Sequence, residues 1–462
     1  MMADLLTSSS VKIGKEIASG QISSREVAES VLERIREVNP ILNAVVNLNE
    51  QEAMSTATKM DEEINTNGGR SPIHGVPMTI KDSLNTKGVR TTWGTQGRKE
   101  FVPTEDATLV RRLKEAGAVL IGKTNTPEFT LAPDTDNLVY GRTNNPFDPS
   151  KSPGGSSGGA AAIIASCGSY FDIGSDTGGS IRMPAHCCGI AGIKPTSGRV
   201  PRTGHCISYA HGPTESLTQN GPMSRWVEDL LPILKIISGP DWVDPFIVPM
   251  GYGNEKIPMD NLKVAFHTNN KLMEPTSEIQ ELVLECARSL VKKGAEVTEN
   301  YPEALMMVGE IDGKNSSGDG RSWVRRLLAK SGTTEPSEFI KQRLSQSSEL
   351  PVSEFTNILE QVDEYRSKMT SYIKDFDVIL CPTSARTALL PGQALEPEYK
   401  FVYYTSAYNI TGWPAGVVRV GTSNEGMPIS IQVVGKPWQE HVVIAVMKFL
   451  ESNFGGWCSP SI

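Results

Sequence analysis

Apolar positions along the chain switch between helical spacing and strict alternation. Residues 8–20 and 24–38 carry apolar side chains at helical spacing, and the second run is opened by a Ser23-x-x-Glu26 capping box and expected to close before Pro40. A polar stretch ending in Asn67-Gly68-Gly69 follows and reads as a separator. In GVPMTIKDSL, Val76, Met78 and Ile80 alternate as in a strand that ends on Lys81. LVRRLKEAGAVLIGKT and LVLECARSLVKKGAEVTE read as helix–glycine–strand units turning at Gly117 and Gly294, where glycine ends a helix without a Cβ penalty. LKVAFHT, FDVILCP, PAGVVRV and ISIQVVG add further strands. This alternation predicts an α/β layer fold. Residues 303–350, with KNSSGDGRSW and SGTTEPSE, read as a polar, irregular segment and a candidate variable lid.

Composition narrows the functional classes. At 462 residues the chain is long enough for one large elaborated domain or two. A formal net charge of -8, with no Lys/Arg run that forms a basic stripe, argues against nucleic acid as a partner. The opening MMADLLTSSSVKIGKEIASG lacks the basic and apolar regions of a secretory signal, and no apolar run has the length of a membrane span. A cytoplasmic protein is expected. Its seven cysteines, whose only close pair is Cys187-Cys188, fit reduced and mostly buried thiols rather than a zinc site. No metal and no cofactor are expected, and composition leaves the oligomeric state open.

Two motif matches fail on context. GAVLIGKT, Gly117 to Thr124, matches the P-loop pattern, but Ala118-Val119-Leu120-Ile121 reads as a buried strand instead of a phosphate-cradling loop. Within SPGGSSGGAAA, Ser156 and Ser157 each sit in a Gly-x-Ser-x-Gly pattern. A nucleophile elbow needs a hydrophobic strand before it, and NNPFDPSKSP is a proline-broken loop. No histidine stands ready as a base: His441 lies on an apolar stretch that reads as a structural helix, and the others are scattered.

A different constellation uses the remaining features. In GSDTGGSIRMPA, Ser180 follows Thr177-Gly178-Gly179, and glycines let successive backbone N–H groups converge on an oxyanion. Lys81 is the candidate base, because burial at a strand end lowers an amine towards neutrality. Ser156 can pass the proton of Ser180 to Lys81, since a hydroxyl both donates and accepts. Capping of the helix AAAIIAS is the plainer role for Ser156 and Ser157. Asp176 and Arg182 flank Ser180 and are expected to pair and brace it; two separate salt bridges are the alternative.

With GVPMTIKDS, SPGGSSGGAAA and DTGGSIRMPA in this order, and Ser156 and Ser180 separated by 24 positions, the chain resembles the amidase signature family of serine hydrolases. GKTNTPEF, TNNPFDP, GIAGIKPTSGRVP, FDVILCPT, NITGWPAGVV and GMPISIQVVGKPW extend the resemblance over most of the chain. It implies an α/β/α sandwich with a large, mostly parallel mixed sheet covered by helices on both faces. It implies a single domain over 1–462, with an N-terminal helical layer at 1–65, a signature core at 66–240 and the lid-like insertion at 303–350. It further implies a Ser-cisSer-Lys triad of Ser180 (nucleophile), Ser156 (bridge, with a cis peptide) and Lys81 (base), with Ser157 behind the bridge. Backbone N–H groups of Thr177, Gly178, Gly179 and Ser180 would hold the oxyanion. Thr130 and Leu131 fall where the family has a wall of its acyl site.

The expected reaction is hydrolysis of small amides through an acyl-enzyme on Ser180, extending to aryl esters and to carbamates or urethanes. Two other branches are similar: fatty acid amide hydrolases, through SIRMPA and TDNLVYGRTNNP, and the A subunit of glutamyl-tRNA amidotransferase, which releases ammonia from glutamine for a partner. GRSWVRRLLAKSG echoes the basic segment of the latter poorly. FVYYTSAYN (401–409), with Trp93 and Tyr140, either lines a pocket for apolar or aromatic groups or packs the core.

Overall fold

The computed structural model describes residues 2–396 and 398–462. Strands β1 (Val45–Leu48), β2 (Pro77–Lys81) and β3 (Val119–Thr124) form a small sheet with β3 central, antiparallel to β1 and parallel to β2. The large sheet holds β4 (Phe171–Asp176), β5 (Ala191–Lys194), β6 (Gln219–Ser224), β7 (Lys263–Phe266), β8 (Glu296–Glu299), β9 (Val378–Pro382), β10 (Ala415–Thr422) and β11 (Pro428–Gly435). Its order is β4-β6-β5-β10-β11-β9-β7-β8.

The large sheet is mixed, but the expected predominance of parallel pairing does not hold. β7 pairs parallel with β8 and β9, and every other neighbouring pair runs antiparallel. Connection length accounts for two of these pairings. β10 and β11 are joined by the tight turn 423–427, which closes only an antiparallel hairpin, whereas the helix Ser277–Lys292 supplies the crossover that parallel β7 and β8 require.

Alternation along the central strands feeds two cores. Val264, Leu380, Val418, Ile431 and Val433 face one side, with Val443, Met447 and Leu450 of the helix Glu440–Phe454. Ala265, Ile379, Cys381, Ala415 and Val434 face the other, with Tyr365 and Met369 of the helix Val352–Ile373. Helices therefore cover both faces, as a sheet buried on two sides requires.

Local signals place most elements. The Ser23–Glu26 capping box forms, and Gly117 and Gly294 take φ of 91° and 98° just past the helices Thr108–Glu115 and Ser277–Lys292. The helix opened at Ser24 does not close before Pro40. It runs to Leu42, because Pro40 lies in the last turn and Asn43, at φ 49°, then ends the helix. The polar stretch before Gly68 contains a helix, Glu50–Asn67, whose buried face is small: Ala53, Ala57 and Met60. Residues 303–350 are not irregular. They form the helices Val308–Ser317, Ser322–Ser331 and Glu338–Ser345, which bury Val308, Ile311, Trp323, Leu327 and Ile340 beneath polar outer faces.

β2 abuts β4 without a backbone ladder between them. Side chains make the join: Ser169 Oγ accepts from Thr79 N (3.1 Å) and Asp172 Oδ1 from Lys81 N (2.9 Å). The last residue of β2 is thereby fixed against β4, from which the chain turns directly into Thr177–Ser180.

Candidate active site

Lys81 is fully buried at this junction, and its Nζ donates to Ser156 Oγ (2.6 Å), Ser157 Oγ (2.8 Å) and Ser175 Oγ (3.0 Å). Burial lowers the amine to about 7, against the opposing pull of Cys206, Asp172 and Asp176. A neutral amine is thus available at ordinary pH. The Gly155–Ser156 peptide is cis, and the helix Gly158–Ala165 begins immediately after Ser157, whose N–H donates to Ser180 O at 3.2 Å. Ser157 Oγ does not cap that helix; it is engaged by Lys81. Gly155 and Gly159 are glycines of necessity, because a Cβ on either would stand within 3.0 Å of the Ala132–Pro133 or Asn125 backbone.

Beneath Lys81 lies Asp172, also buried. Its Oδ2 accepts from Thr79 Oγ1 (2.7 Å) and Thr124 Oγ1 (2.9 Å). Burial pushes this carboxyl up to about 6, while the Thr79, Thr124 and Lys81 N–H bonds restrain the rise.

The loop after β4 is held by one buried ion pair. Arg182 donates through Nε to Asp176 Oδ2 (3.0 Å), through one terminal nitrogen to Asp176 Oδ1 (2.9 Å) and Asn409 Oδ1 (2.5 Å), and through the other to Thr405 O (2.9 Å) and Gln432 Oε1 (2.7 Å). All five guanidinium N–H donors are used. Burial works against the charge on Asp176, but Arg182 and Asn409 outweigh it and hold its carboxyl well below the usual carboxylate range. The two residues pair with each other, so the alternative of separate salt bridges falls away.

Asp176 also reaches into the loop itself, accepting from Gly179 N (2.8 Å) and Ile181 N (3.1 Å). The Gly179 N–H, expected in the oxyanion nest, is therefore committed to Asp176. Gly179, at φ 138°, shapes the turn instead, with Thr405 Oγ1 only 2.3 Å from where a Cβ would stand. The N–H groups of Thr177, Gly178 and Ser180 have no protein acceptor among the described residues. Thr405 Oγ1 donates to Gly178 O at 2.6 Å, which fixes the loop from the opposite side.

Ser180, Thr177 and Gly178 are half-buried and open into a cavity of about 610 Å³. Thr130 and Leu131 line it, as do Phe401, Val402 and Tyr403. The segment 303–350 supplies another wall through Asp312, Arg321 and Trp323. Tyr140 does not line this cavity. Its hydroxyl is engaged at β1 instead, accepting from Asn47 Nδ2 at 2.7 Å. Trp93 is likewise a packing residue, clustered with Phe129 and Leu327 under the Arg98 guanidinium at 3.5 Å. Tyr404 and Tyr408 are buried, so the aromatic run 401–409 divides between cavity and core.

Sequence reading missed Asp172, Ser175, Thr405, Asn409 and Gln432. Ser175 and Asp172 sit in a strand whose six residues are all buried, so no alternation separates site from core. The other three come from segments more than 220 positions downstream of Arg182. The P-loop match lies in β3, with Lys123 buried and donating to Thr86 Oγ1 at 2.7 Å. None of the seven cysteines is in a disulfide, and six are buried. Among the described residues no three His, Cys, Asp or Glu side chains are grouped to hold a metal, and no helix is long and apolar enough to cross a membrane.

The amidase family model matches residues 26–444. The chain is 34% identical to fatty-acid amide hydrolase 2-B of Danio rerio over 99% of its length and 91% of the relative's. It is 32% identical to the A subunit of the glutamyl-tRNA(Gln) amidotransferase of Prochlorococcus marinus, covering 95% of each. Among solved structures it superposes on a bacterial aryl acylamidase of the amidase signature enzymes with a TM-score of 0.86 at 25% identity, covering 96% of both chains. It superposes on 6-aminohexanoate cyclic dimer hydrolase with a TM-score of 0.85 at 25% identity, covering 98% of both. With its fold, its motifs and these relatives in agreement, the chain belongs to the amidase signature family and is a hydrolase of C–N bonds.

Proposed function

We propose that the protein is a stand-alone amidase that hydrolyses small amides and arylamides, and also aryl esters and urethanes, through an acyl-enzyme on Ser180. The observation that carries this reading is the buried 2.6 Å contact of Lys81 Nζ with Ser156 Oγ, beside a cavity into which Ser180 opens. Ser180 Oγ attacks the carbonyl carbon while its proton passes to Ser156 and the Ser156 proton passes to Lys81. The oxyanion is received by the free N–H groups of Thr177, Gly178 and Ser180. The C–N bond breaks, the relay returns a proton to the leaving amine, and the acyl-enzyme forms. Water then attacks the acyl carbon by the same relay, releasing the acid and regenerating Ser180. Esters and carbamates present the same carbonyl and follow the same route.

Residues 1–462 act in this reading as one catalytic domain in the cytoplasm, with 303–350 as the lid of the cavity. A broad pocket is supported by the mixture of apolar and polar walls around Ser180. Release of 4-nitroaniline from short acyl anilides and of 4-nitrophenol from aryl carbamates by the purified chain tests it, with Ser180→Ala and Lys81→Ala as controls. Turnover lost in both variants is expected. A chain inert towards anilides but releasing ammonia from glutamine when a partner is supplied would favour the amidotransferase reading, which the 32% identical relatives motivate.

A further inference from the structure

Two guanidinium groups line the cavity into which Ser180 opens, neither in an ion pair among the described residues. Arg321, in a left-handed backbone conformation (φ 56°), precedes the helix Ser322–Ser331, and its side chain lies on the cavity wall. Its Nε is buried and has no acceptor among the described residues; the nearby Asp319 attracts it but makes its ion pair with Arg326. Arg343, on the helix Glu338–Ser345, lines the same wall and lies over the Phe339 ring at 5.1 Å. Burial, then the like charge of Arg343, lowers Arg321 to about 10, which leaves it cationic at neutral pH.

Arg343 is exposed, whereas Arg321 is half-buried, and a partly buried cation without a partner is costly. Asp312 and Glu396 also border the cavity, yet neither comes within ion-pair distance of Arg321 or Arg343 among the described residues. Burial raises Asp312, against the pull of Arg343, with which it interacts beyond ion-pair distance; Arg321 draws no such pull from it. Lys400, the remaining cation on the wall, donates to Leu272 O at 3.1 Å. Leu131 and Phe401 line the same cavity and offer apolar surface suited to methylene groups.

We infer that Arg321, supported by Arg343, receives a carboxylate at the far end of the acyl group whose carbonyl Ser180 attacks, so that the preferred substrates are monoamides of dicarboxylic acids. This rests on the amidase reading and adds its substrate class. The carboxylate would supply the planar two-oxygen acceptor that a guanidinium binds best.

The test compares glutaryl and adipoyl 4-nitroanilides with the pentanoyl and hexanoyl compounds. The carboxylated substrates are expected to show kcat/KM about 10- to 100-fold higher, the range of a hydrogen bond to a charged group. Arg321→Gln should collapse that ratio, chiefly through KM, and Arg321→Lys should restore part of it. A wild-type ratio near one, or a ratio untouched by Arg321→Gln, would overturn the inference while leaving the amidase reading intact. If no anilide is cleaved, glutarate is tested for protection of Ser180 against a fluorophosphonate. Protection abolished by Arg321→Gln would support the anion site and count against the proposed reaction; absence of protection would overturn the site as well.

Discussion

Replacing Arg182 with methionine removes a charge from the most densely bonded side chain of the site while nearly keeping its volume. Arg182 and Asp176 are both fully buried. Without Arg182 the Asp176 carboxylate keeps its bonds from Gly179 N, Ile181 N and Asn409 Nδ2 but loses its counter-charge, and Gln432 Oε1 and Thr405 O lose a donor. Breaking one half of a buried pair costs about 3–5 kcal/mol. Each stranded neutral acceptor adds about 1–3 kcal/mol at most, a sum curtailed because Asp176 can take up a proton at about 1.4 kcal/mol per pKa unit. A loss of about 3–5 kcal/mol in urea unfolding at pH 7 is therefore expected, together with loss of turnover, since the same contacts aim the loop carrying Ser180.

Combining Arg182→Met with Asp176→Asn removes both charges of the pair, so the double variant should be at least about 2 kcal/mol more stable than additivity requires. The pH dependence has a fixed sign. A carboxyl depressed in the folded state stabilises above its unfolded value near 3.9, and that contribution is lost as pH falls through the lower folded value. Wild type should therefore lose it only below about pH 4, where Asp176 begins to protonate in the unfolded chain. Additivity within about 0.5 kcal/mol, or an Arg182→Met variant within about 1 kcal/mol of wild type, would refute this account of the pair.

The other expectations concern the relay and its supports. kcat/KM for an anilide should rise with pH through an apparent pKa near 7, as Lys81 becomes neutral, and a profile flat from pH 5 to 9 would remove Lys81 as base. Asp172→Asn takes away a negative charge that favours the Lys81 ammonium, so the acid limb should move to lower pH; a shift to higher pH in the rate profile would count against the assigned electrostatics. Thr405→Val deletes the bond to Gly178 O and should lower kcat about 10-fold or more with KM little changed, whereas a change confined to KM would mean that Thr405 only lines the pocket.

The sequence made some of this geometry legible and hid the rest for physical reasons. Val76, Met78 and Ile80 alternate cleanly, so the strand ending at Lys81 was readable; Gly117 and Gly294 marked turns that only a left-handed residue accommodates at low cost. Strand polarity was hidden, because strands such as β11, buried along their whole length, carry the same apolar run in either direction. The helix Glu50–Asn67 is hard to read because small alanines make most of its buried face, and the helices of 303–350 because they are short and separated by loops rich in Gly, Ser and Thr. At the site, motif order pointed to Lys81, Ser156 and Ser180, while Tyr140 was misplaced because an aromatic near a motif carries no information about which side of a strand it will occupy. Asp172, Thr405 and Gln432 reach the site through tertiary packing alone.

At the centre of the proposed reaction, Ser180 Oγ bonds the acyl carbon and Lys81 activates it through Ser156. Peptide mass mapping of the chain quenched during turnover of an acyl anilide tests this directly. A single acyl adduct on Ser180 is expected, absent in Ser180→Ala and formed at least about 100-fold more slowly in Ser156→Ala and Lys81→Ala, within the range of general-base contributions. An adduct on another residue, or acylation of Ser180 at an unchanged rate without Lys81, would contradict the account.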